Sequence, residues 1–483
     1  PTLFNKKVLY SNLNYSLQEK DKYIFNAQFR YSFNDFPAGY EDRKSKLYSS
    51  GSETPLSIYD HTVEKNRIPA LDLYFQRNLR NDQSLIFNLV GTYIRTENTR
   101  IYQETRENDL ETDILSDISG KKYSLIAEGI YEKRIGKSLF TGGLKHTQSY
   151  TDNTYTGTTV TDISMKQSES FAYAEYLLKT GKWSYMANLA FSRFYYNQRN
   201  NKNEKYALQP SLRITYNPNQ NLSFRYSAAL KNNTPSIAYL NDVEQPIDIL
   251  QVRRGNPALK SYQSINQSFN AGYNQKLFGI DALITYDYEH KPIMESVLYE
   301  DGLFIRTYDN QKSFQNLAFE VAFHIKPWKD HINISVIPGL NRYISHGNNY
   351  LHTYTMKSLR VNLDFFYRNW IANFTTITPP NRYVYGEQLM KGDLMHTLMV
   401  GYKMPAWSVM AGLYNPFIKT YRSENENWSA LNPVKSDIHS NNMARTIVVK
   451  FNFNLNFGKQ FKSFRKAVQN MDDDPGIISG NRD

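Results

Sequence analysis

The stretch TIVVKFNFNLNFGKQF, residues 446–461, decides the fold. In an extended chain Ile447, Val449, Phe451, Phe453, Leu455 and Phe457 fall on one face. Thr446, Lys450, Asn452, Asn454 and Asn456 fall on the other, with Val448 the one exception. A period of two over this length predicts one long β-strand, apolar on one side and polar on the other. The apolar side faces either a soluble core or lipid, and the rest of the chain distinguishes the two.

The same alternation recurs from end to end. Tyr23, Phe25, Ala27, Phe29, Tyr31 and Phe33 alternate with Asn26, Gln28, Arg30, Ser32 and Asn34. Leu222, Phe224, Tyr226, Ala228 and Leu230 alternate with Ser223, Arg225 and Ser227, and Leu359, Val361, Leu363 and Phe365 with Arg360, Asn362 and Asp364. About nineteen such segments are present, most of roughly ten to fourteen residues, whereas soluble strands average about five or six. A β-propeller would need a repeat of about forty residues, and none is found. No run of eighteen apolar residues exists, so no transmembrane helix is predicted. A spanning strand needs only about 9–11 residues, half of them facing lipid, so an apolar fraction of 40% is compatible with a membrane barrel.

The connections carry direction. Short ones (19–22, 78–83, 180–182, 217–221, 274–279, 326–330 and 403–405) alternate with long ones at 37–67, 95–122, 231–261, 289–312 and 416–442. Tight turns on one rim and long loops on the other describe an up-and-down barrel with short periplasmic turns and long extracellular loops. Four of the five tryptophans, Trp183, Trp328, Trp370 and Trp407, lie at or beside a short connection. Tryptophan favours the membrane interface, so these four are expected to form an outward-pointing periplasmic belt. Lys20, Lys22, Arg80, Lys133, Arg134 and Lys182 gather at the same rim.

The expectation is therefore an all-β chain: a transmembrane up-and-down antiparallel β-barrel over residues 1–458 and a periplasmic C-terminal tail over 459–483. Asp472, Asp473 and Asp474 would keep that tail exposed and soluble. Since the first strand precedes a tight turn and the last follows a long loop, both run inward. They cannot close the sheet as antiparallel neighbours, so at least one further strand is expected before Pro1.

The segment LQVRRGNPALKSYQSINQSFNAGY (250–273) resembles TonB-dependent outer-membrane receptors, in which a glycine-asparagine-proline turn ends an outer loop; here the matching residues are Gly255, Asn256, Pro257, Leu259 and Lys260. The ending NFNLNFGKQFKSFRKAVQNMDDDPG (452–476) resembles the last strand and tail of the receptor-like barrel family common in Bacteroidetes. The resemblance implies a barrel of about 22 strands around an N-terminal plug, with the plug and three strands preceding this chain. It also implies TonB and a surface lipoprotein as partners.

Chemistry is sparse. There is no cysteine, and no nucleophile elbow, HExxH, P-loop or dinucleotide fingerprint, so no enzyme activity and no cofactor are expected. His324 and His331 flank one turn with only Asp330 nearby, and His396 stands alone, a poor metal set. The net charge of +11 is spread out, without a nucleic-acid motif. It suits either attraction to outer-membrane lipid and lipopolysaccharide or a merely solvated surface. On the polar strand faces, Gln28, Arg30, Arg213, Arg225, Arg360 and Lys450 are candidates to line the lumen. Tyr40, Tyr48, Tyr59 and Tyr350 are aromatic loop residues suited to many ligands. Two functions remain open for this expected outer-membrane protein of a Gram-negative bacterium. One is nutrient import through a plugged barrel; the other is a scaffold or accessory subunit of an envelope assembly complex.

Overall fold

The computed structural model describes residues 5–19, 22–38, 43–48, 54–199, 201–378, 382–441, 443–453 and 466–479. Long antiparallel strands pair in chain order from Asn5–Glu19 and Tyr23–Ala38 through to Trp407–Tyr414 and Thr446–Phe453. With the short strand Arg43–Leu47, which pairs beside Leu56–Leu79, they make one 20-stranded sheet. Among the described residues Asn5–Glu19 pairs with Tyr23–Ala38 alone and Thr446–Phe453 with Trp407–Tyr414 alone. The expected inward-running first and last strands are thus not paired with each other. Leu455 and Phe457 of the opening stretch lie outside the described residues.

The alternation read from sequence appears as two chemically distinct faces. Outward residues are apolar and open, including Phe87 (52% exposed), Leu144 (68%) and Ile447 (72%). Their inward neighbours, such as Asn88 and Thr92, are buried. In an outer-membrane barrel the apolar band belongs against lipid, and between neighbouring strands of this wall the backbone groups pair along the ladder.

At one end the connections are tight. Asn81 and Asp82 at φ 59° and 52° turn the chain between Leu56–Leu79 and Gln83–Arg106, a left-handed geometry that Asn and Asp tolerate. At the other end three of the expected long loops are strand hairpins. Residues 95–122 are not a loop: Gln83–Arg106 runs straight through, turns at Glu107–Asn108 and returns as Asp109–Ile135. Residues 289–312 hold the hairpin Ile293–Glu300/Leu303–Asn310, and 416–442 hold Tyr421–Asn427/Val434–Ser440. Within 37–67, Leu56–Leu79 already begins and Arg43–Leu47 pairs beside it. Above the lipid both faces of a strand are free to be polar, so strand pairing continues there without the apolar alternation that announces it.

Candidate functional site in the barrel lumen

Two pieces of chain occupy the lumen. The first is the connection 234–261, which folds inward over the mouth. Ser236 caps the single helical turn Ile237–Leu240, its Oγ accepting from the Tyr239 N–H at 3.3 Å. Ile237, Leu240, Val243 and Leu259 then pack with Ile118, Tyr155, Ile163, Phe194 and Tyr196 of the wall. The Gly255-Asn256 turn fixes this cap. Gly255 N–H donates to the Asn241 carbonyl at 2.9 Å and Asn256 N–H to that of Tyr239 at 2.6 Å. A side chain at 255 would collide with both carbonyls, so only glycine fits. Arg100, 1% exposed, clamps cap to wall: its guanidinium donates to both Asp60 carboxylate oxygens at 2.8 and 3.0 Å and to the Pro246 carbonyl at 3.2 Å. A buried guanidinium is tolerable here because a bidentate carboxylate compensates it.

The second piece is the C-terminal segment 466–479. It was expected to be exposed; instead it lies against the inner face. Lys466 sits 2.9 Å from Asp72. Asn470 donates to Asn88 Oδ1 and to Glu128 Oε2, both at 2.8 Å, while Asn88 donates to Asp72 at 2.7 Å. Lys122 Nζ pairs with Asp472 and donates to the Asp474 carbonyl, each at 2.8 Å. Side-chain exposures of 4% for Lys122 and 15% for Asp472 make this a buried ion pair. So Asp472 does not solvate a free tail; it neutralises a cation that burial would otherwise penalise. Val468 packs against Tyr74, Ile86 and Ile130, and Ile477 and Ile478 join the cap cluster.

The model of the outer membrane protein beta-barrel family matches residues 15–381. The chain belongs to that family. Its place is the outer membrane of a Gram-negative cell. Solved structures with the same fold include the copper transporter OprC (10% identity, TM-score 0.54, 93% of this chain and 80% of that one). BauA, the ferric preacinetobactin receptor from Acinetobacter baumannii, matches at 10% identity and TM-score 0.61, over 92% of this chain and 72% of its own. The siderophore receptor PirA from Pseudomonas aeruginosa matches at 12% and 0.51, over 93% and 80%. At these identities the likeness is one of fold. A search of curated proteins returns no match.

Within this outer-membrane barrel the six lumen candidates occupy the polar phase of their strands. Gln28 lies opposite Asp72 in the ladder and donates to Asn12 at 3.0 Å. Arg30 reaches the Asn470 carbonyl at 3.4 Å. Arg213 and Arg225 fall on adjacent strands, beside Ser227 and Thr215 respectively. Arg360 and Lys450 sit on separate strands and are exposed. Only Gln28 and Arg30 therefore belong to the sector in which the tail lies. Trp183, Trp370 and Trp407 each begin a strand after a tight turn, and Trp328 lies within one. Their rings meet aromatic or histidine neighbours: Tyr216 at 4.2 Å from Trp183, His331 at 4.8 Å from Trp328 and Tyr402 at 5.1 Å from Trp370.

The histidines do not converge. His324 contacts Ser335 and Asp281, whereas His331 contacts the Phe366 carbonyl. His396 packs between Phe374 and Phe417. The loop tyrosines do not converge either: Tyr59 stacks on His61 and Tyr350 on His352, Tyr48 is exposed, and Tyr40 lies outside the described residues. Missed from sequence were Asp72, Asn88, Lys122, Glu128 and Asn153. Their signal was a polar residue in the inward phase, which marks the face and not the partner.

Proposed function

We propose that this chain forms the wall of an outer-membrane transporter that imports a nutrient ligand through its lumen. The observation that carries the reading is the inner wall outside the covered sector, where Arg213, Arg225, Arg360 and Lys450 stand exposed in the polar phase of their strands, as a route for a hydrated solute requires. The fold shared with proteins named as copper and siderophore transporters or receptors supports the same reading. The hairpins Ile293–Glu300/Leu303–Asn310 and Tyr421–Asn427/Val434–Ser440 would meet ligand outside. The four tryptophans would mark the periplasmic interface, and lipopolysaccharide would contact the opposite rim. Resemblance to TonB-dependent receptors points to energy relayed by TonB, to a plug and to a surface lipoprotein partner. Among the described residues the outer edges of Asn5–Glu19 and Thr446–Phe453 have no strand partner, and each unsatisfied backbone group in lipid costs several kcal/mol. A deletion strain grown on defined nutrients tests the proposal: loss of growth on one class supports import, and unchanged uptake on all of them overturns it.

A second reading, a scaffold or accessory subunit of an envelope complex, draws on one observation. The described lumen is occupied on one side by cap and tail, which suits a wall that conducts nothing. Affinity purification that returns a stable envelope complex, alongside normal uptake, would favour it.

A further inference from the structure

We propose that segment 466–479 is a gate: an extended strap of this chain that covers one side of the lumen by docking on the inner wall, and that must leave the wall for that side to open to passage. The proposal rests on the lumen being the route of passage. The geometry points to it in three ways.

First, the wall holds the strap largely through its main chain. Arg30 donates to the Asn470 carbonyl, Lys122 to that of Asp474 at 2.8 Å and Asn153 to that of Gly476 at 2.9 Å. In return the Ala467 and Ile478 N–H groups donate to the hydroxyls of Tyr74 and Tyr155 at 3.5 and 3.4 Å. Among the described residues the strap forms no ladder with any strand of the wall. A ladder strand would be a permanent part of the barrel. Separate side-chain contacts can instead be released and remade one after another.

Second, the wall is shaped for the strap. A Cβ at Gly120 would stand 2.7 Å from Ile477 Cγ2, so the glycine leaves room for that side chain. Gly476 adopts φ +69°, which turns the strap beneath Ile237 and beside Thr151. The contacts also climb in order. Lys466 and Val468 meet Asp72, Tyr74 and Ile130 toward the tight-turn end, while Ile477 and Ile478 meet Gly120, Tyr155 and the cap toward the mouth.

Third, the charges give two states. With the strap docked, Lys122 is compensated by Asp472 and Glu128 by Asn470. With it gone, Lys122, Asp72 and Glu128 face the lumen, and water must enter to solvate them. Closed is dry on this side; open is wet and charged. Peeling from the Lys466 end would break the contacts one at a time.

The chain has no cysteine, so the paired variant Gly120→Cys/Ile477→Cys gives an unambiguous cross-link, at a separation a disulfide can span. In outer membranes of intact cells the oxidised pair should form, and entry of a probe (vancomycin, read as growth inhibition, or a fluorescent dye) should stay at background. In a strain whose chain ends at residue 465, probe entry should rise several-fold, with barrel integrity checked by heat-modifiable gel migration. The milder variant Asn470→Ala should raise it less. Failure of the cross-link to form in a folded barrel overturns the docked strap. A cross-link that forms, with no change in entry on truncation, overturns the gate. Raised entry on truncation sustains the gate even if no nutrient depends on this protein, so its outcome separates from that of the import reading.

Discussion

Two sectors of the wall share one sequence pattern and differ in what covers it. From Leu56–Leu79 through Trp183–Gln198 many inward residues are buried, and cap and strap pack on those around Tyr74, Ile86, Ile118, Ile130, Tyr155 and Phe194. From Leu351–Tyr367 to Thr446–Phe453 most residues in the same phase are only half-buried, and Arg360 and Lys450 stay exposed. Alternation decides which face a residue joins. Whether that face is dry depends on chain far away in sequence.

The largest effect should come from breaking the clamp in the covered sector. Arg100→Ala strands Asp60 and the Pro246 carbonyl, and breaking a buried pair of this kind costs about 3–5 kcal/mol. Arg360→Ala, in the exposed sector, should stay within about 0.5 kcal/mol. Urea unfolding of both variants in lipid vesicles measures the contrast, and equal losses would remove it.

Next in size is the cap. Gly255→Val forces a side chain into the carbonyls of Asn241 and Tyr239, and overpacking of this kind costs about 1–3 kcal/mol. Limited trypsin digestion should then cut at Arg253 or Arg254, while the tight turns stay resistant. Unchanged digestion would mean the cap does not depend on that close approach.

The smallest effect concerns the hairpin outside the wall. Glu426 is held at a pKa of about 2 by hydrogen bonds from Lys391 and Trp428, against an ordinary value of 4.5. A depressed carboxylate stabilises its surroundings above the ordinary value and loses that contribution as pH falls through the folded one. Amide exchange in Tyr421–Asn427 should therefore quicken between about pH 4.5 and 2, and Glu426→Gln should flatten that dependence.

Much of this architecture was legible beforehand. Phe87, Leu144 and Ile447 declare the outward face because lipid accepts only apolar side chains there. The Gly255-Asn256 turn was legible through its resemblance to a family turn, whereas the two carbonyls that only glycine fits between lie on a cap 14 to 16 residues upstream. The hairpin of Gln83–Arg106 and Asp109–Ile135 was hidden, since above the lipid neither face is selected for apolarity. The strap was hidden for another reason. Lys122 and Asp472 are 350 residues apart, and nothing local to either announces the other; an acidic run reads as a solvated tail until its partner is in place.

The difference between the two sectors can be measured directly with single cysteines labelled by a water-soluble maleimide in the outer membrane. Ser124, inward, 6% exposed and two residues from the strap-bound Lys122, is compared with Lys450, inward and exposed; outward Leu125 and Val449 serve as lipid-facing controls. The account predicts rapid labelling at 450, little at 124, and none at 125 or 449. Equal labelling at 124 and 450, or labelling at the outward pair, would contradict it.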